Sequence, residues 1–361
     1  VQASATPSSA TKRIAVIAGD GIGKEVVPVG LAVLEHLRAG ALPISVREYD
    51  LGADRFLRDG TTFPDDVANE IRTSTDAVLL GALGDPRVPD LRHARDILFG
   101  LRFGLDLYAN VRPVVCLSDR LMPLRNRTAK DCNFVVFREN TEGVYVGMGG
   151  QFKRGTADEV AINEDVNTRK GVERIIRAAF EYAKQNGKRT VHMADKSNAM
   201  RFAHELWHRC FFEVAREYPG ITAKHQYVDA MCLKIIEDPA QYEVIVTCNL
   251  FGDIVTDLAA ALQGGLGMAA SANVHPGRVS MFEPVHGSAP DIEGKDLANP
   301  LATVLTVGLM LTHLGFGGVE QRLTDIVRRA VESGNATRDV GGTLGTRATG
   351  EWVLAELRKS A

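Results

Sequence analysis

Two aspartates four residues apart, Asp253 and Asp257 in NLFGDIVTD, would project from one face of a helix, one turn apart. Such a pair can hold a hard divalent cation such as Mg2+ or Mn2+, or it can be a solvated face and no more. Asp229 in QYVDAM offers a third carboxylate, or a helix cap. Lys196, in ADKSNAM beside Asp195 and Asn198, is a candidate base. A buried lysine near other cations can lose its proton near neutrality, although most lysines only meet solvent. Arg102, Arg112 and Arg138 lie in LRFGLDLYANVRP and VVFREN. Their guanidinium forks suit bidentate grips on carboxylates as well as surface ion pairs. Tyr145, a few residues after Arg138, is a neutral acid if buried. The glycine run from Gly19 to Gly23, GDGIG, is either a pyrophosphate cradle or a plain tight turn. Its GxGxG spacing lacks the GxGxxG of dinucleotide sites.

Positioning these groups requires alternating strands and helices. RIAVIAG reads as a strand, KEVVPVGLAVLEHL as an amphipathic helix and DAVLLGALG as a buried strand ending in glycines. The rhythm continues with GVERIIRAAFEYAKQNG helical, RTVHMAD a strand, NAMRFAHELWHRCFFEVAREY helical and YEVIVTCN a strand. The fold class is therefore α/β, with the reactive residues expected just after strands, at the carboxyl ends where open α/β sheets bind ligands. No internal repeat is visible.

The 361 residues suffice for two or three domains. With 42 basic and 45 acidic residues the net charge is -3, so no overall field draws nucleic acid or an anionic membrane. The longest apolar stretch, Leu301 to Leu314, is broken by Thr303, Thr306, Thr312 and His313 and is too short to cross a bilayer, which makes it a buried helix. Cys116, Cys132, Cys210, Cys232 and Cys248 form no CxxC pair, which fits a reducing cytoplasm. Residues 1–12, VQASATPSSATK, read as a tail, without the apolar stretch of a signal peptide.

Taken in order, the motifs resemble those of the β-decarboxylating dehydrogenases of (R)-hydroxy acids, the isocitrate/isopropylmalate dehydrogenase family. They are GDGIGKE, LLGALGDP (79–86), LRFGLDLYANVRP (101–113), RENTEGVY (138–145), DKSNA (195–199), VDAM (228–231), NLFGDIVTD (249–257) and EPVHGSAPDIEGKDLANP (283–300). The resemblance runs from Arg13 to about Leu357 and implies two α/β domains with a cofactor site that is not of Rossmann type. It divides the chain into a cofactor-binding domain, 13–107 plus 264–361, and a dimerisation and substrate/metal domain, 108–263. It further implies a homodimer with shared active sites, a small hydroxy-dicarboxylate substrate, NAD, and Mg2+ or Mn2+. By the same resemblance Arg102, Arg112 and Arg138 clamp the substrate carboxylates. Asp253 and Asp257, with Asp229 of the partner subunit at both metal and substrate, are the metal ligands. Lys196, also of the partner subunit, is the base, and Tyr145 the acid. The cofactor falls to Gly81, Gly84, Glu283, His286, Gly287, Ser288, Ala289, Asp291, Ile292 and Asn299. Asp291 stands where NAD-using relatives carry an aspartate for the ribose hydroxyls. NADP-using relatives tend to carry Lys followed by Tyr there, and a 2′-phosphate would be repelled by Asp291.

The segment before Arg102 should meet the C3 substituent, and it offers Ile97, Leu98 and Phe99. A buried γ-carboxylate without a partner would cost roughly several kcal/mol there, with Arg95 its one rescue if turned inward. An apolar γ-group fits this wall, which favours 3-isopropylmalate. Against it, RENTEG departs from the pattern usual in the leucine-pathway enzymes, and VDAM, GMGGQFKRGTADEVA and TRKGVERIIRAAF look more like tartrate and D-malate dehydrogenases. Isocitrate and homoisocitrate come behind these. A regulatory, non-catalytic relative would be expected to have lost part of the Lys196, Tyr145, Asp229, Asp253 and Asp257 set, which is complete here.

Overall fold

The structure, a computed structural model, describes residues 10–359. In chain order the elements are β1 (Lys12–Gly19), α1 (Gly23–Ala39), β2 (Ile44–Glu48), α2 (Ala53–Asp59), α3 (Asp65–Ser74), β3 (Ala77–Ala82), α4 (Arg92–Gly104), β4 (Ala109–Val115), β5 (Asn133–Glu139), β6 (Gly149–Phe152) and β7 (Val160–Asn163). There follow α5 (Arg169–Gln185), β8 (Thr190–Asp195), α6 (Ala203–Ala215), β9 (Thr222–Tyr227), α7 (Val228–Glu237), β10 (Val244–Thr247), α8 (Asn249–Ala260), β11 (Ala270–Val274), β12 (Ser280–Pro284), α9 (Leu301–His313), α10 (Val319–Ser333) and α11 (Thr346–Lys359). The α/β reading holds. Most of the proposed tail lies outside the described residues, but Lys12 is already strand, paired with Ile44. The helix expected from Asn198 begins later, at Ala203, after a turn over 197–199 in which the Ala199 N–H bonds back only three residues, to the Lys196 carbonyl.

The described residues form two compact units, 10–107 with 113–132 and 260–359, and 108–112 with 133–259. The sequence reading keeps 108–263 together, whereas residues 113–132 cluster with the first unit. There the Val115 N–H donates to Gln263 Oε1 at 3.0 Å and the Arg120 guanidinium to the carbonyls of Val331 and Glu332.

In the first unit the strands run β2, β1, β3, β12, β11. All pairs are parallel except β11 with β12. This antiparallel member and the strand order depart from a Rossmann sheet. Its core gathers Ile17, Leu80, Ile97, Leu101, Leu107 and Met281. The apolar run at 301–314 is α9, buried on nearly every side between α1, α10 and the sheet. No described helix is long and apolar enough to cross a membrane.

In the second unit β5, β10, β8 and β9 are parallel neighbours in that order, with α5 and α6 packed against them. Strands β8 and β10 are almost wholly buried, as expected of a parallel sheet covered by helices. Helix α5 starts at a Thr168 cap whose hydroxyl accepts the Gly171 N–H, and Glu142 in turn accepts both the Thr168 N–H and hydroxyl. The loop after β5 is thereby tied to a helix end. A hairpin, β6 with β7, exposes both its faces.

Candidate active site

In the second unit, α8 converts the spacing of Asp253 and Asp257 into two carboxylates one turn apart. Asp253 is the hub. Its Oδ1 accepts from Arg138 Nη1 and, at 3.3 Å, from Arg112 Nη2, while its Oδ2 accepts the Tyr145 hydroxyl at 3.0 Å. Asp257 Oδ1 lies 4.0 Å from Arg112 Nη1. Burial and the neighbouring Asp253 charge push its carboxyl above the usual range, against the pull of the two arginines. The sequence, through its family resemblance, named Arg112, Arg138, Tyr145, Asp253 and Asp257, and the structure brings their side chains together. The sequence misjudged one point of support, since Arg112 and Arg138 lie within β4 and β5 and not after a strand. Being in strands, both are almost fully buried and must be held by hydrogen bonds.

Those bonds come from residues the motif reading passed over. Arg112 donates to Asn110 Oδ1 at 2.7 Å and to Thr256 Oγ1 at 2.5 Å. Arg138 donates through Nε to the Asn249 carbonyl and side-chain oxygen, and Asn249 donates onward to the Glu142 carbonyl. The available signal was position. Asn110 is two residues before Arg112, and Asn249 and Thr256 stand on the same helix as the aspartates.

Lys196, directly after β8, meets Asp229 in the first turn of α7, with Nζ 2.7 Å from Oδ1. This bond holds the Asp229 carboxyl below its ordinary range. Among the described residues no three His, Cys, Asp or Glu side chains of one chain converge as a metal site. The oxygen donors Asp253 and Asp257 fit a hard cation in chemistry, but two carboxylates leave such a site short of ligands.

In the first unit, Arg102 closes the last turn of α4 and is buried, donating from Nη2 to Glu283 Oε1 at 3.1 Å. Glu283 Oε1 also accepts from Asn273 Nδ2, and the buried Arg102 Nε has no partner. The apolar wall needs correcting at Ile97, whose side chain is fully buried in the core. Leu98 packs partly on that core, and Phe99 stacks on Phe103 at 5.2 Å. Arg95 faces outward, 4.0 Å from Asp96 and more than half exposed.

The 283–300 loop is seated on the GDGIG turn. Ile22 N–H donates to the Ser288 carbonyl at 2.9 Å, and a Cβ on Gly21 would come within 2.0 Å of that same oxygen. Ala289 and Ile292 pack on Ile22, Val26 and Ala298, while Gly294 N–H is held by Glu25 and Lys24 pairs with Glu293. The turn thus serves as a platform for the loop. Within the loop His286 is buried. Its Nδ1 faces the Gly287 carbonyl, which leaves Nε2 an acceptor without a partner. Burial also holds its pKa below the ordinary imidazole value. An orphan acceptor and, in the same loop, an exposed carboxylate, Asp291, are the kinds of group that a nucleoside's amino and hydroxyl donors require. Gly287, like Asp291, is exposed. Two residues of the expected cofactor set have structural duties. Gly81 is needed where β3 crosses Ala18, its Cβ position only 2.2 Å from that carbonyl. Asn299 starts α9 by accepting the Leu301 N–H and donates to Asp339. Gly84 has φ +126° and gives its N–H to the buried Asp20, which also accepts from Ala53 N–H and pairs with His93.

Comparison with known proteins places these units in context. Residues 13–353 match the family model described as isocitrate/isopropylmalate dehydrogenase. A 3-isopropylmalate dehydrogenase of Streptomyces coelicolor is 44% identical over 95% of this chain and all of its own length. One of Frankia casuarinae is 46% identical, covering 95% of this chain and 98% of the relative. Among solved structures, an isocitrate dehydrogenase from Methylococcus capsulatus superimposes with a TM-score of 0.87 at 35% identity, over 96% of this chain and all of that one. The TT0538 protein from Thermus thermophilus gives a TM-score of 0.85 at 37% identity, over 96% of this chain and 68% of that one.

Proposed function

The chain belongs to the isocitrate/isopropylmalate dehydrogenase family, and on that premise we propose that it is an NAD-dependent, divalent-metal-dependent enzyme that oxidatively decarboxylates 3-isopropylmalate to 2-oxoisocaproate. The observation that carries the substrate is the surface of α4. Apolar Leu98 and Phe99 occupy the turn before Arg102, and Arg95 is turned to solvent and Asp96. An isopropyl group suits such a surface, whereas a γ-carboxylate there would lack a counter-ion. The names of the relatives at 42–46% identity agree with this reading.

In this reading Arg102, Arg112 and Arg138 hold the malate carboxylates, orienting the departing carboxylate against C2. Asp253 and Asp257 hold the cation with Asp229 of the partner subunit, and the 283–300 loop holds NAD through His286 and Asp291. When bound, the cation supplies a Lewis acid and the nicotinamide a hydride acceptor. Lys196 of the partner subunit takes the C2 hydroxyl proton, and Tyr145 returns a proton to the product carbon. The working species is a cytoplasmic homodimer. Its first unit carries the cofactor, and its second the metal and the dimer contact.

NADH formation from 3-isopropylmalate, tartrate, D-malate, isocitrate and homoisocitrate, with Mn2+ and with or without chelator, tests the proposal. The highest kcat/KM is expected with 3-isopropylmalate. A preference for tartrate or D-malate would overturn the substrate and keep the chemistry, and no turnover with any of them would leave a ligand-binding role.

A further inference from the structure

We propose that His204 is a positioning residue for Lys196, fixing the peptide from which the base projects; this rests on the reading of Lys196 as the base that serves the partner subunit's site. The Lys196 N–H donates to His204 Nδ1 at 2.9 Å. His204 is almost fully buried at the start of α6. An Nδ1 that accepts places the proton of the neutral ring on Nε2. Nε2 points toward Asp165, 3.8 Å away and short of a hydrogen bond. Asp165 is itself held by Asn167, whose side-chain oxygen accepts from Trp207. Burial keeps the imidazole neutral, outweighing the nearby carboxylates of Asp165 and Asp195, so the acceptor persists at working pH.

The other flank of the peptide is pinned as well. Asp195 Oδ1 accepts the Ser197 N–H and hydroxyl and pairs with His225 at 2.8 Å. Lys196 is therefore carried on a turn fixed at both sides. A base must sit within hydrogen-bond reach of its proton, and a shift of about 1 Å can cost roughly a hundredfold in rate. His204 has a second neighbour, the Phe251 ring of α8 at 5.1 Å. Helix α8 carries Asp253 and Asp257, which serve the chain's own site. Whether His204 acts through Lys196 or through α8 is therefore a question of which of the two sites its loss disables.

Mixed dimers decide it. His204→Leu should lower kcat about 10- to 100-fold with little change in either KM. His204→Asn, whose Oδ1 can replace Nδ1, should restore kcat to within a few-fold, with thermal melts confirming that both fold. If His204→Leu does not fold, His204→Ala carries the same comparison. Heterodimers bearing one His204→Leu and one Asp253→Asn subunit, isolated with two tags, should retain about half of wild-type activity, because one of the two sites of a symmetric dimer is intact. Those pairing His204→Leu with Lys196→Met should stay near the level of the single variants. The opposite pattern, or full activity in His204→Leu, would overturn the proposal. The Lys196→Met and Asp253→Asn heterodimer is the control. If it shows no recovery, the shared-site reading fails, and the Leu and Asn homodimers still decide whether His204 sets kcat.

Discussion

Asp253 accepts from two arginines and a tyrosine, so its charge organises the second unit's cluster even without a cation. Asp253→Asn keeps the shape and removes the charge, and Mn2+ affinity measured by titration calorimetry should fall by more than about tenfold. EDTA should abolish turnover of the unmodified protein, and full activity in metal-free buffer would sink the metal assignment. Asp291 lies at an exposed position, and its loop is anchored by bonds to its backbone, the Ile22 N–H to the Ser288 carbonyl and the Gly294 N–H to Glu25, that do not use its side chain. The residue can therefore change without loss of the loop. Asp291→Lys with Ile292→Tyr should move the NADP over NAD preference in kcat/KM by at least about tenfold, since a repulsion becomes an attraction. A wild-type protein that already prefers NADP would contradict the placement of the adenosine.

At the scale of elements, the GDGIG turn acts as a seat for the 283–300 loop. Gly21 has φ +52°, and a Cβ there would press on the Ser288 carbonyl. Gly21→Ala should therefore destabilise the fold by about 1–3 kcal/mol and raise KM for NAD more than KM for the hydroxy acid. A lowered melting temperature with both KM values unchanged would show that the seat does not shape the cofactor site. The spacing of Asp253 and Asp257 was legible because a helix has one period, and α8 keeps it. The start of α6 was not legible, because the apolar spacing continues through a local turn in which Ser197 bonds back to Asp195 and the Ala199 N–H closes on the Lys196 carbonyl. The arginine supports were likewise hidden. Asn249 and Thr256 become partners of Arg138 and Arg112 only when α8 lies beside β5 and β4.

At the scale of the molecule, each unit buries a histidine that resists protonation. Burial lowers His192 of β8 and His313 of α9 from the ordinary 6.5 to about 4. Between those values the unfolded chain binds more protons than the folded one. Stability is therefore fully present above pH 6.5 and declines as pH falls toward 4. Each of the two groups accounts for a loss on the order of 3 kcal/mol across that window. Urea unfolding at about pH 7 and about pH 4.5 should show it, and His192→Phe with His313→Leu should flatten the dependence. An equally steep profile in the double variant would assign the acid sensitivity to carboxylates instead.

The sequence alone determined the α/β class, the buried α9 and the one-turn spacing of Asp253 and Asp257, because these follow from local periodicity, and its ordered motifs carried the family resemblance that named the side chains meeting at Asp253. Tertiary packing alone decided that Ile97 belongs to the core and Arg95 to solvent, that residues 113–132 join the first unit, that GDGIG supports a loop, and that Lys196 hangs from a buried imidazole. Each of these depends on which face of an element turns inward and which group it meets there, and the spacing of residues along one segment does not specify that.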